Sequence, residues 1–198
     1  MLYKLGGHFL KKTAVLIYNQ FCNFEISVAL ETLALNNKSI DVFAKTEEVV
    51  KCEEGLKVLP DKTIYELDID EYDSLLLPGA ADIRSAVEDV EIIEFIKKFD
   101  GKTIGAISIA PILLVKAGIL NGKAFMIGAD KEGLLEEGYS ETDLKYMKDW
   151  NDCITNPIEE GYIVSENIVT SVSFKFVRFG IQFCKMLGIE ISPKSFGL

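Results

Sequence analysis

The side chain best placed for chemistry is Ser108, because it separates a short apolar run from a segment with helical spacing. Residues 103–107 are apolar and β-branched, whereas apolar residues from Ile109 to Gly118 recur at helical spacing. A sharp turn from a buried strand into a helix is a nucleophile elbow, which holds its central side chain above the sheet edge. The sequence therefore predicts a serine placed as a nucleophile or as part of an anion site.

The neighbours of Ser108 fit such a turn. The residues two before and two after the central one come close together in an elbow and must be small, and here they are Ala106 and Ala110. An alternative stays open, because serine is also a favoured N-cap and Pro111 is tolerated in a first helical turn. On that interpretation Ser108 only caps a buried helix.

Three other residues carry groups that could react. Glu25 falls in the first turn of a helix predicted over 24–35 and capped by Asn23, where a carboxylate also suits the helix dipole. Cys22 lies in the preceding loop, which should hang over the elbow, although a partly buried loop thiol is the simpler interpretation. The only histidine, His8, could reach the site only if the N-terminal leader folded back over it.

The composition restricts the kind of molecule and its partners. The chain has 198 residues, of which 48% are hydrophobic, and this suits one globular domain with a substantial core. It carries 31 acidic and 21 basic residues, which give a net charge of −10. Nucleic acid is excluded as a partner, because phosphate contacts need a concentrated basic surface.

Neither membrane insertion nor metal chemistry is indicated. Residues 1–12 lack the apolar core of a signal peptide, and no later run reaches the ~18 apolar residues of a membrane span. We therefore expect a cytoplasmic protein without membrane contact. The four cysteines lack CxxC spacing and companion histidines, which predicts reduced thiols, no metal site and no cofactor.

Strand-like and helix-like segments alternate along the chain, as is typical of a doubly wound α/β domain. Strands are predicted at 13–18, 39–44, 72–77, 103–107 and 123–127, with a hairpin at 49–59 and a β-ribbon at 161–170. Helices are predicted at 24–35, 90–98 and 173–187, with a charged, partly helical insertion at 132–150. In such a domain the site lies at the carboxyl ends of the strands.

The organisation is a single domain with short additions. Residues 1–12 are interpreted as a loose leader, 13–190 as the domain and 191–198 as a C-terminal tail. The last helix is predicted to be amphipathic. Its buried face is expected to contain Phe174, Val177, Ile181 and Cys184.

Five stretches, in this order, make residues 13–190 resemble the ThiJ/PfpI family of the class I glutamine amidotransferase-like superfamily. The stretches are the first strand and loop through 23–25, and residues 55–61, 72–79, 105–111 and 162–171. The resemblance implies a flavodoxin-like three-layer α/β/α sandwich with a mostly parallel sheet. It also implies a homodimer, and a family whose members include intracellular proteases or amidases, glyoxalase- and deglycase-like enzymes, isonitrile hydratases and redox-responsive proteins.

The resemblance also implies roles for particular residues. Ser108 stands where the family has its elbow cysteine, and Glu25 stands where a glutamate hydrogen-bonds to that nucleophile. Gly79, Ala80 and Ile109 are in position to offer backbone amides to an oxyanion.

The chain departs from the family pattern at three places. The elbow residue is a serine, and a hydroxyl forms far less anion near neutral pH than a thiol does, so it needs a general base. The family histidine is missing, because Ile109 follows the elbow and Gly128-Ala129 ends the next strand. The loop after the ribbon is shortened to Val172-Ser173.

These departures favour a small-molecule-binding or sensing protein over a catalyst. The first alternative is a hydrolase of the protease or amidase kind, or a glyoxalase- or deglycase-like enzyme, that uses Ser108 and Glu25. A carboxylate serves as base for a serine hydroxyl only if burial raises its proton affinity. The second alternative is a redox role for Cys22. The sequence does not identify the substrate or ligand.

Overall fold

The computed structural model describes residues 11–197. His8 and most of the predicted leader lie outside the described residues, as does residue 198. The strands are β1 (Lys12–Leu16), β2 (Ile40–Ala44), β3 (Val50–Lys51), β4 (Lys57–Val58), β5 (Lys62–Thr63), β6 (Tyr72–Leu77), β7 (Thr103–Ile107), β8 (Phe125–Met126), β9 (Met147–Lys148), β10 (Tyr162–Ser165) and β11 (Ile168–Ser171). The α-helices are α1 (Ser27–Leu35), α2 (Arg84–Val87), α3 (Val90–Lys97), α4 (Pro111–Lys116), α5 (Lys131–Glu136), α6 (Trp150–Thr155) and α7 (Phe176–Met186).

Seven strands form the main sheet, in the order β10-β11-β7-β6-β1-β2-β5. All neighbouring pairs are parallel except β10 and β11, which form the predicted antiparallel ribbon. The central strands β1, β6 and β7 are almost entirely buried, as strands covered on both faces must be. Their carboxyl ends meet at one edge of the sheet, where the site is expected.

Helices cover the sheet on both faces and complete the predicted flavodoxin-like α/β sandwich. Helices α1 and α7 pack against each other, α7 also packs against β7 and β11, and α2, α3 and α4 form a second group. The crossing of α1 and α7 is close, because a Cβ at Gly180 would lie 2.7 Å from the Ala29 nitrogen. None of the helices in residues 11–197 is both long and apolar enough to cross a bilayer.

Two details of the predicted helices are wrong. Asn23 provides no side-chain cap; the Glu54 carboxylate accepts from the Asn23 and Phe24 amides instead, at 3.2 and 2.9 Å, and a 3₁₀ turn (Phe24–Ile26) precedes α1. The final helix also opens with a 3₁₀ turn, Ser173–Lys175, whose three residues per turn shift the phase of the α-helical turns after it. Its fully buried residues are therefore Phe179, Gly180, Phe183 and Cys184, while Phe174 is 47% exposed.

The predicted strand at 123–127 is shorter than expected and does not belong to the main sheet. Only β8 forms there, and it pairs with β9 in a separate two-stranded sheet that includes part of the charged insertion. All four cysteines are unpaired thiols, as predicted, and Cys184 is fully buried in the core.

Candidate functional site

Three loops bring the candidate residues together at the carboxyl edge of the sheet. Glu25 follows β1, Gly79 follows β6 and Ser108 follows β7. These strands are neighbours in the sheet, so residues far apart in the chain meet. The structure thus brings Ser108 and Glu25 together at this edge, and their role there stays a prediction.

Ser108 occupies a strained elbow. Its φ of 62° lies in the left-handed region, which a side chain other than glycine rarely adopts. Two backbone hydrogen bonds hold this conformation: the Ser108 amide donates to the Ser171 carbonyl at 2.8 Å, and the Gly128 amide donates to the Ser108 carbonyl at 2.7 Å. Backbone strain fixed by its surroundings is characteristic of functional positions.

Ser108 does not cap the following helix. Helix α4 begins at Pro111 with Ala110 as its N-cap residue, and no side chain hydrogen-bonds to the cap. Ala106 and Ala110 are completely buried beneath the turn, as an elbow requires. The elbow interpretation therefore describes the geometry, and the capping interpretation is wrong.

Gly79 allows the two reactive side chains to converge. A Cβ at this position would lie 2.6 Å from Glu25 Oε2 and 2.9 Å from Ser108 Oγ. Such distances are too short for any side chain, so only glycine at this position allows Glu25 and Ser108 to approach the backbone together. Gly128 packs against Ser108 from the other side, where a Cβ would lie 3.3 Å from Oγ.

Burial changes the chemistry of Glu25. The residue is 2% exposed, and desolvation raises the pKa of its carboxyl from an ordinary 4.5 to about 7. Hydrogen bonds from the Gly79 amide and the Ser108 hydroxyl lower this pKa, whereas the charges of Glu53 and Glu54 raise it further. Near neutral pH the carboxyl therefore exists in both protonation states, as a general acid and base requires.

The predicted oxyanion amides do not all remain available. The Gly79 amide donates to Glu25 Oε2 at 2.7 Å, so it fixes the carboxyl rather than facing a substrate. Within residues 11–197, the amides of Ala80 and Ile109 donate to no protein acceptor. Of the three predicted amides, these two therefore remain without a protein acceptor in that range.

The surroundings of Cys22 do not favour a reactive thiolate. Its side chain is 5% exposed and its Sγ donates to Glu53 Oε2 at 2.6 Å. Burial, followed by the hydrogen bond to Glu53 and the charge of Glu25, raises the pKa of this thiol well above its usual range. Cys22 is therefore a neutral thiol at physiological pH, and its redox role remains a prediction.

The β3–β4 hairpin contributes to the site in a way that was not predicted from the sequence. Its turn carries Glu53 and Glu54, which bind the Cys22–Phe24 loop through one side-chain and two backbone hydrogen bonds. Both carboxylates also act on the pKa of Glu25. No signal in the sequence marks them, because the contacts join segments about thirty residues apart.

Open cavities flank the elbow. One, of about 350 Å³, is lined near the elbow by Ala80, Ile109 and Ala129. A second, of about 410 Å³, lies between Gly128 and Trp150. Neither cavity is lined by Ser108 or Glu25 themselves, but the first includes Ala80 and Ile109, the residues of the two available amides. In the part of the chain that the structure describes, no cluster of histidine, cysteine and acidic side chains could hold a metal ion.

The sequence of this chain is similar to one family of known proteins and to several named relatives. The sequence profile of the DJ-1/PfpI family matches residues 11–186. A Bacillus subtilis protein provisionally named a cysteine protease is 31% identical over 166 residues, which cover 81% of this chain and 88% of the relative. A Pyrococcus furiosus protein named a deglycase is 25% identical over 144 residues, covering 71% of this chain and 86% of the relative.

The fold is also found among solved structures. A DJ-1 superfamily protein from Agrobacterium tumefaciens superposes with a TM-score of 0.75 at 19% identity, covering 94% of each chain. At this identity the likeness concerns the fold alone. The sheet order and its helices are therefore those of a known architecture.

Proposed function

Because this chain belongs to the DJ-1/PfpI family, we propose that its elbow is the active site of a hydrolase that cleaves small esters or amides, with Ser108 as nucleophile and Glu25 as acid and base. The observation that carries this proposal is the burial of the Glu25 carboxyl beside Ser108, which raises its pKa to about 7. A raised proton affinity is the condition under which a carboxylate can take the proton of a serine hydroxyl. This observation favours the catalytic alternative over binding alone.

In the first half of the reaction, Ser108 Oγ forms a bond to the substrate carbonyl carbon while ionised Glu25 accepts the hydroxyl proton. The carbonyl π electrons move onto oxygen, and the Ala80 and Ile109 amides stabilise that oxyanion. The tetrahedral intermediate then collapses. The bond to the leaving alcohol or amine breaks, and Glu25 gives it the proton, which leaves an acyl group on Ser108.

Water completes the cycle. Glu25, ionised again, takes a proton from a water molecule as its oxygen attacks the acyl carbon. The bond between that carbon and Ser108 Oγ breaks, and Glu25 returns the proton to the serine. The Gly79 amide keeps Oε2 of the carboxyl fixed throughout, so the carboxyl stays beside Ser108.

The test is a turnover screen with p-nitrophenyl acetate, p-nitrophenyl butyrate, amide analogues, methylglyoxal and an alkyl isonitrile. We expect hydrolysis of at least one ester, and a loss of about 10²-fold or more in the Ser108→Ala protein, because the covalent step is removed. Equal turnover by both proteins would contradict the proposal.

The same assay has an expected pH dependence. Glu25 must be ionised to act as base, so kcat/KM should fall about tenfold per pH unit below 7 and level off above it. A profile that is flat from pH 5 to pH 8 would exclude Glu25 as the base.

Small-molecule binding or sensing is the second candidate, and the open cavities beside Ala80 and Gly128 favour it. Its signature in the screen is saturable binding of a carbonyl compound without turnover. Methylglyoxal consumption that requires Glu25 but tolerates Ser108→Ala would instead favour the glyoxalase-like alternative.

We also propose that the protein is a cytoplasmic homodimer. Several apolar side chains on α1 and the hairpin remain exposed, among them Leu35, Leu56 and Leu59. Apolar surface of this kind suits contact between two copies. Light scattering should give about twice the chain mass of 22.1 kDa at micromolar concentration. The mass of a single chain over that range would contradict this.

A further inference from the structure

The peptide group between Pro78 and Gly79 is held from both sides. On one side the Tyr18 hydroxyl donates to the Pro78 carbonyl, and this contact is buried. On the other side the Gly79 amide donates to Glu25 Oε2 at 2.7 Å. One planar unit thus connects a tyrosine that follows β1 to the carboxyl of the site.

The planarity of the peptide bond makes these two contacts interdependent. In a trans peptide the carbonyl and the amide point in opposite directions and rotate together. Turning the carbonyl away from Tyr18 therefore turns the amide away from Glu25.

Such a constraint is needed at this position. Gly79 must lack a side chain so that Glu25 and Ser108 can approach, but glycine is also the residue whose backbone rotates most freely. Pro78 restricts only its own φ, and the Cys22 amide, which donates to the Gly79 carbonyl at 2.8 Å, holds the peptide that follows. Neither restraint sets the two torsions next to the shared peptide. A contact outside these two residues has to set its orientation.

We propose that Tyr18 is a positioning residue: its hydroxyl fixes the Pro78–Gly79 peptide and thereby holds the Gly79 amide on the Glu25 carboxyl. Tyr18 is 6% exposed, and the contact of its hydroxyl with the Pro78 carbonyl is buried. Burial keeps its pKa well above the usual value, so the hydroxyl remains a donor throughout the neutral range. The sequence gives no sign of this role, because a tyrosine after an apolar strand is ordinarily a core residue.

The consequence lies in the protonation of Glu25. The groups acting on its carboxyl are the Gly79 amide and the Ser108 hydroxyl, which favour the ionised form, and Glu53 and Glu54, which oppose it. Tyr18 and Cys22 are the other titratable groups in range, and both remain neutral. Weakening the amide contact therefore raises the pKa of Glu25.

The experiment is an NMR titration of the Glu25 side-chain carboxyl in the wild-type and Tyr18→Phe proteins. We expect the Glu25 midpoint to move upward by about one pH unit, since the carboxylate loses a charge-assisted hydrogen bond. The acid limb of the kcat/KM profile should move by the same amount. A purely structural tyrosine would change stability without moving either midpoint.

Tyr72→Phe is the matched control, because Tyr72 is also fully buried and its hydroxyl donates to Asp41, away from the site. It should leave the Glu25 midpoint unchanged. An unchanged midpoint in Tyr18→Phe, or an equal shift in both variants, overturns the proposal.

A second variant serves if Tyr18→Phe does not fold. 3-Fluorotyrosine placed at position 18 alone retains the hydroxyl and makes it a stronger donor, so the midpoint should move downward instead. The catalytic meaning of Tyr18 rests on the proposed function, but the titration needs no turnover. Absence of hydrolysis would therefore remove the function and leave the positioning role to be decided by NMR.

Discussion

Glu25→Gln should lower kcat for ester hydrolysis by about 10²- to 10⁴-fold, the usual range for removing a general acid and base. Glutamine has nearly the shape of a protonated glutamic acid. Its oxygen can accept from the Gly79 amide, which now donates to Glu25 at 2.7 Å, and its amide can donate to Ser108. The geometry of the site is therefore retained while proton transfer is lost.

The same substitution should make the protein more stable at high pH. Glu25 binds its proton more tightly in the folded chain, with a pKa of about 7 against an ordinary 4.5. Because the folded state holds the extra proton, wild-type stability declines as pH rises through this window. Glutamine does not ionise, so the variant does not lose stability in this way. Its free energy of unfolding, relative to that of the wild type, should therefore rise by on the order of 3 kcal/mol from pH 4 to pH 8.

Urea unfolding at both pH values measures this difference. The control is Glu132→Gln, an exposed carboxyl in the first turn of α5, which should change neither kcat nor the pH dependence of stability. If the Glu25→Gln protein is inactive but gains no stability relative to wild type between pH 4 and pH 8, burial does not raise the pKa of Glu25. An active one would remove Glu25 from the mechanism.

We expect this gain in stability because a buried carboxyl that ionises lowers the stability of the folded protein. A leucine or glutamine would be easier to bury at position 25, and the charge becomes unfavourable as it ionises. Active sites commonly retain such unfavourable groups, and the protein is less stable for it. The pairing of lost activity with increased stability therefore distinguishes a catalytic carboxyl from a structural one.

Much of the fold was predictable, because short apolar runs and the turn residues beside them are recognisable within a few residues of sequence. The apolar strands 72–77 and 103–107 are bounded by clear turn residues, and the structure confirms both as β6 and β7. The elbow was predictable for the same reason, since Ala106, Ser108 and Ala110 are all within five residues. The pairing of Ser108 with Glu25 followed from the family resemblance and the carboxyl-edge rule.

The remaining features depend on contacts between distant segments. The Glu54 carboxylate, rather than the Asn23 side chain, accepts hydrogen bonds from the backbone at the start of the first helix, because the β3–β4 hairpin packs against this segment from thirty residues away in the chain. The Gly79 amide is used by Glu25 rather than left for an oxyanion, and this depends on the exact approach of two loops. The face of α7 was mispredicted because a 3₁₀ turn, which has a different period, precedes it.

Ser108→Cys should replace a hydroxyl that iodoacetamide does not alkylate with the fastest-alkylating thiol in the chain. Position 108 is partly exposed, whereas all four natural cysteines are buried. Burial raises the pKa of Cys153 to about 11 and that of Cys184 to about 12, and raises that of Cys22 further. An ordinary thiol pKa of about 8.5 would already give a thiolate fraction on the order of 10²-fold higher.

The elbow should increase this difference. The amides of Ile109 and Ala80 have no protein acceptor within residues 11–197, so they can stabilise a thiolate at position 108. The protonated form of Glu25, which burial favours, can donate to the same sulfur. Mild peroxide should then add the mass of a sulfenic or sulfinic acid at this position, because oxidation follows thiolate character and access.

Brief iodoacetamide treatment at pH 7, followed by peptide mapping, measures the five thiols together. Ser165→Cys is the matched control, since Ser165 is also partly exposed but lies on β10, away from the elbow. We expect the thiol at position 108 to label faster than the one at position 165, and both to label faster than Cys22. If the two introduced thiols react at the same rate while the protein stays folded, the elbow provides no activation and Ser108 is not a nucleophile. If Cys22 reacts fastest, its contact with Glu53 does not suppress the thiolate, and the redox alternative becomes the better account of this site.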